Sequence, residues 1–167
     1  MSVLPDDHDH RGLRLSKDDA TATALVEAIH GGDVDSLRKL LGEHPGLAAA
    51  RIVDPNGGSA TLHAATDWPG FFPNGREIVR ILIAAGADPD AAIDGSWHAE
   101  TALHWTASSD DVEVARALID GGAGLNGTAS WGDRTPLDVA ESVDTGREAL
   151  LTWLRERGAK NSTEPAV

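Results

Sequence analysis

The side chains of this chain that could do chemistry lie in three short stretches. The first is Asp67-Trp68-Pro69-Gly70-Phe71-Phe72-Pro73-Asn74-Gly75, which holds one of the five tryptophans and both phenylalanines. The second is Trp97-His98-Ala99-Glu100, and the third is Trp131-Gly132-Asp133-Arg134. Two chemistries fit them. With Trp68, Phe71, Phe72, Trp97, Trp105 and Trp131 walling an apolar cleft, Asp67, His98 or Glu100 would act as general acid or base on an apolar small molecule, for instance in an isomerisation or cyclisation. His98 suits that role because a neutral imidazole exchanges protons near neutral pH. The other chemistry is recognition. Tryptophan is a large apolar load to leave on a connector that runs over the surface, and it is enriched at binding hot spots. Folded back, the same indoles would instead plug gaps between connectors, since they tolerate partial burial.

Other chemistries are disfavoured by what is absent. There is no Cys, hence no disulfide framework and no thiolate ligand. His8 and His10 lack a third ligand at metal spacing, so no metal site is expected. Asn56-Gly57-Gly58-Ser59 lacks the Lys of a phosphate-binding loop and reads as a turn, and no nucleophile elbow occurs. No cofactor is expected. A net charge of -13, from 14 Lys plus Arg against 27 Asp plus Glu, repels polyanions and disfavours nucleic acid. It suits a partner with a basic or apolar surface. No apolar run approaches the length of a membrane span, and the opening MSVLPDDHDHRG is acidic where a signal peptide needs a basic start. These features lead us to expect a cytoplasmic protein with no membrane contact.

The elements that must position those stretches repeat along the chain. Leu82-Ile83-Ala84-Ala85-Gly86-Ala87, Leu118-Ile119-Asp120-Gly121-Gly122-Ala123 and Leu154-Arg155-Glu156-Arg157-Gly158-Ala159 are equally spaced copies of one phrase. Each follows a copy of a second phrase: Ala60-Thr61-Leu62-His63, Thr101-Ala102-Leu103-His104 and Thr135-Pro136-Leu137-Asp138. A weaker copy, Thr23-Ala24-Leu25-Val26, opens the series. Thr before Ala or Pro caps a first helix, an apolar run at helical spacing makes a second, and the Gly of Gly-Ala stops it. Two short helices cannot bury their own apolar stripe, so four such units must stack. His63 and His104 read as structural, their rings tied to the Thr-containing turns. Trp105 and Trp153 fall on the helical stripes and read as core.

These phrases closely resemble the ankyrin repeat over about residues 20 to 160. The resemblance implies an all-α repeat fold: a helix-turn-helix solenoid with short β-hairpin fingers. Its repeats would span about 20–54, 55–93, 94–128 and 129–160, after an acidic flexible leader (1–19) and before a tail (161–167). It further implies a module that binds a protein through its concave face and finger tips. Two departures from the family pattern stand out. The run from Asp67 lengthens the turn inside the second repeat by about five residues, and the finger carrying Trp97 is about three residues longer than usual. Aligned to the family, the expected binding set is Asp67, Trp68, Phe71, Phe72, Trp97, His98, Glu100, Trp131 and Arg134. Protein binding is the preferred reading, and the small-molecule site with Asp67, His98 or Glu100 is the alternative.

Overall fold

The computed structural model describes residues 12–95, 99–129, 132–142 and 148–164. Four helix pairs follow one another: α1 (Ala20–Gly31) with α2 (Val34–Glu43), α3 (Thr61–Ala65) with α4 (Gly75–Ala84), α5 (Ala102–Thr106) with α6 (Val112–Asp120), and α7 (Pro136–Ser142) with α8 (Glu148–Glu156). Several starts are set by groups that take up, or do without, the free N–H donors of the first turn. Thr101 and His104 form a capping box at α5, and Pro136 fills the first position of α7, where no donor is needed. In α1 the expected cap, Thr23, lies inside the helix. The helix begins a turn earlier because Asp19 Oδ1 accepts the N–H groups of Thr21 (2.8 Å) and Ala22 (3.3 Å).

The stops follow the Gly-Ala phrase. Gly86, Gly122 and Gly158 take φ of 104°, 106° and 85°, and the next alanine sends its N–H back to the carbonyls of Leu82, Leu118 and Leu154 at 2.9, 2.9 and 3.0 Å. A left-handed residue there turns the chain out of the helix while satisfying its last carbonyls.

First helices pack on first helices and second on second. Leu25, Leu62, Leu103 and Leu137 from the first set, and Leu37, Leu82, Leu118 and Leu154 from the second, are all fully buried. Each contributes about 1.5–3 kcal/mol by leaving water, which no single pair could collect alone. Trp153 joins this core at 8% exposure, its ring flanked by the guanidinium groups of Arg157 (4.8 Å) and Arg116 (5.8 Å).

Between the pairs run hairpin fingers. In the first, β2 (Arg51–Asp54) pairs antiparallel with β3 (Gly57–Ala60), and β1 (Arg14–Ser16) lies parallel to β2 on its other side. The second finger closes at Ala92 and Thr101, the third at Ala129 and Arg134. The first two touch where Gly57, at φ 151°, backs onto Asp94; a Cβ there would lie 2.1 Å from the Asp94 carbonyl oxygen. Asp94 also gathers Arg14 (2.7 Å) and Arg51 (3.4 Å).

That arrangement corrects the expected leader. Residues 14–16 form a strand, and Asp19 caps α1, because β2 would otherwise leave an unpaired edge and α1 unfilled donors. At the other end Asn161 and Ser162, expected in a tail, hydrogen-bond to Asp138. No helix among the described residues is long and apolar enough to cross a membrane.

Candidate functional site

The long turn of the second repeat, residues 66–74, is held at both flanks. On one side Asn74 Nδ2 donates to the Gly32 carbonyl (2.9 Å), Phe72 stacks on His30 with ring centroids 4.3 Å apart, and Pro73 covers Gly32. On the other, Phe71 N–H donates to Asp111 Oδ2 (3.2 Å), whose Oδ1 caps α6 through Val114 N–H (3.1 Å). Asp67 closes the turn on itself, Oδ1 accepting from Trp68 N–H (2.8 Å) and its carbonyl from Gly70 N–H (2.8 Å). The turn therefore spans the first and third repeats. Trp68 and Phe71 project from it at 83% and 65% exposure.

The histidine slot explains how the fingers are aimed. His104 Nε2 bonds the Arg134 carbonyl (3.1 Å) and His63 Nε2 the Glu100 carbonyl (3.0 Å). A carbonyl only accepts, so in both rings Nε2 carries the proton and Nδ1 must accept. For His104, Nδ1 takes Thr101 N–H (3.2 Å) and the Thr101 hydroxyl (2.9 Å). In the second repeat Ala60 stands where Thr101 does, and His63 Nδ1 is buried with no hydrogen-bond partner among the described residues. Burial holds both imidazoles below their ordinary pKa, so they are neutral. The last repeat has Asp138 in the slot. Burial pushes its carboxyl up, but hydrogen bonds from Thr135, Asn161 and Ser162 together outweigh that and hold it well below the carboxylate range. No further finger follows Asp138 within the described fold, so an acceptor that seals residues 161–162 replaces a donor.

Two depressions flank this framework. The inner one, about 270 Å³, is lined by Asp67, Trp68, Glu100 and Trp105 with Thr66, His104, Ser108 and Val139. Trp105 is half-buried, edge-on to His63 at 5.0 Å, and its Nε1–H donates to Glu100 Oε2 at 3.0 Å. The core role expected for Trp105 is thus only half of its position. The outer one, about 1080 Å³, runs along α4 beneath Phe71 and Phe72, with Ile81, Ala84 and Val112 on its floor. Ion pairs Arg38–Glu77 (3.0 Å) and Arg76–Glu113 (2.7 Å) rim it.

Of the residues singled out in the sequence, Asp67, Trp68 and Glu100 meet at the inner cleft, while Phe71 and Phe72 turn to the outer groove. Arg134 stays at the third finger, where its guanidinium donates to the Asp138 carbonyl (2.8 Å). Trp97, His98 and Trp131 lie outside the described residues. The outer groove was missed. Its signal is an apolar stripe on α4 wider than the stack needs: Ile78, Val79 and Leu82 are fully buried, whereas Ile81 faces the groove.

Capped helix pairs, Gly-Ala stops and histidines that bond the next finger define a class, and comparison agrees. Residues 72–164 match the family model of ankyrin repeats in three copies, and the chain belongs to that family. It is a protein–protein interaction module by fold. The chain is also similar to the E3 ubiquitin-protein ligase KEG of Arabidopsis thaliana, 42% identical over 102 residues, 61% of this chain and 6% of that protein.

Proposed function

We propose that this ankyrin stack captures its protein partner along the edge made by the long turn of the second repeat and the inner side of α3 and α5. One observation carries the reading: two large aromatic side chains, Trp68 and Phe71, stand in water on a turn pinned by hydrogen bonds to the first and third repeats. A rigid aromatic loses little freedom on binding, which is what makes such rings effective anchors. Asp67 and Glu100 supply polar groups at the cleft beside Trp68, Arg134 supplies one on the third finger, and Trp97, His98 and Trp131 are kept in the binding set on sequence grounds alone. The charge of -13 favours a partner with a basic surface around an apolar centre.

The test compares partner capture from source-cell extract by the natural chain and by the Trp68→Ala/Phe71→Ala variant. Both rings are exposed, so the variant keeps its urea midpoint and loses the captured protein. Equal capture by both chains refutes this placement of the face. A collapse of the midpoint shows the rings to be structural and refutes it equally.

A further inference from the structure

Within that reading, we propose that the inner cleft is a socket for one arginine side chain of the partner. At about 270 Å³ the cleft falls below the roughly 300–1,000 Å³ that holds drug-sized ligands, so it is scaled to a single side chain. Its walls include two indoles, Trp68 and Trp105, and among the described residues its charged lining is Asp67 and Glu100, with no Lys or Arg. His104, also in the lining, is neutral, so it adds no opposing charge. Indole faces and carboxylates together select a cation.

The hydrogen bonds inside the cleft decide which cation. Asp67 is oriented through Oδ1 by the Trp68 N–H, and Glu100 through Oε2 by the Trp105 indole. Neither bond uses Asp67 Oδ2 or Glu100 Oε1. The two carboxylates come from different repeats, and a planar fork with several fixed donors reaches both while lying flat on a ring. A point-charge ammonium does so less well. The chain already shows the pairing elsewhere: Arg157 lies over the Trp153 ring at 4.8 Å. The overall charge of -13 draws a basic segment toward the site.

The test uses small probes, so that it stands apart from partner capture. N-acetyl-arginine methylamide is titrated into the ¹⁵N-labelled chain, and the indole Nε1–H signals are read, assigned with Trp68→Phe and Trp105→Phe. The expected result is saturable shifts of Trp68 and Trp105 but not of Trp153, with no shift from the neutral citrulline analogue. Asp67→Asn/Glu100→Gln removes both charges while an amide oxygen still accepts from Trp68 N–H and Trp105 Nε1–H. This variant should bind the arginine probe roughly tenfold more weakly. Shifts of equal size from citrulline, equal affinity for the lysine analogue, or no shift at all would overturn the socket. If capture depends on Trp68 and Phe71 but the arginine probe leaves the indoles unmoved, the binding edge stands and the socket falls. If capture is also unaffected, both fall.

Discussion

Replacing Ala60 by Thr should stabilise this protein, and the third repeat shows why. Thr101 gives its hydroxyl to His104 Nδ1 at 2.9 Å, whereas Ala60 has no hydroxyl to give and the buried His63 Nδ1 has only the Ala60 N–H nearby, outside good hydrogen-bond geometry. The backbone at Ala60 (φ -72°, ψ 160°) is close to that at Thr101 (φ -92°, ψ 169°), so it accepts a threonine without backbone strain. An unsatisfied buried acceptor costs about 1–3 kcal/mol, and a new neutral hydrogen bond returns about 0.5–1.5 kcal/mol net. We expect a gain of about 1 kcal/mol, which for a chain of this length raises Tm by about 2–4 °C. Ala60→Val is the control, since it has the shape of Thr without the hydroxyl. Urea titrations followed by circular dichroism and by tryptophan emission read the midpoint, and Trp105, edge-on to His63, reports locally. Coincident transitions license the comparison. Equal midpoints for Ala60→Thr and Ala60→Val would refute the reasoning, because the hydroxyl would then do nothing. The reverse change, Thr101→Ala, should cost about 1 kcal/mol through loss of the hydroxyl bond to His104 Nδ1, which then keeps only the backbone N–H of residue 101.

Other expectations rest on the same framework. Gly32→Ala places a Cβ 2.2 Å from the Pro73 carbonyl oxygen at φ 65°, so it should destabilise by about 1–2 kcal/mol or more and release the long turn. Faster hydrogen exchange at residues 67–73 checks this. Asp111→Asn can still cap α6 but turns a donor toward Phe71 N–H. It should speed exchange in the turn while leaving the melting temperature nearly unchanged, and a slowed or unaltered turn would count against the anchor. Stability should also fall with acid. Burial lowers the pKa of His63 and His104 below the ordinary 6.5, so below that value the unfolded chain binds more protons than the folded one. Their contribution is complete above about pH 6.5 and is lost as pH drops, at up to about 1.4 kcal/mol per pH unit for each histidine. Urea midpoints at about pH 7.5 and about pH 5.5 test it, and a flat profile would contradict the neutral burial of both rings.

Much of the stack was legible because its signals are local. Gly-Ala stops, Thr caps and leucines at helical spacing act within a turn or two of their own position, so the phrase around Leu103 and His104 names its structure directly. Where a signal depends on a neighbour, the reading slipped. Thr23 looked like a cap until Asp19, outside the phrase, took that role. Residues 14–16 looked like part of a leader because a three-residue strand has no pattern of its own, and only the edge of β2 makes it one.

By itself, the sequence determined the repeat: its period, most of its helix ends, its buried leucines and the structural role of His63 and His104. It also marked the long turn as unusual. Tertiary structure decided what that turn does. Whether Trp68, Phe71 and Phe72 would share one cleft depended on anchors far along the chain, Gly32 on one side and Asp111 on the other, which send Trp68 to the inner cleft and the phenylalanines to the outer groove. The same holds for Glu100, whose carbonyl is claimed by His63 and whose carboxylate is claimed by Trp105. Helix ends are set by neighbours in sequence, but a cleft is set by which repeats the stack brings side by side.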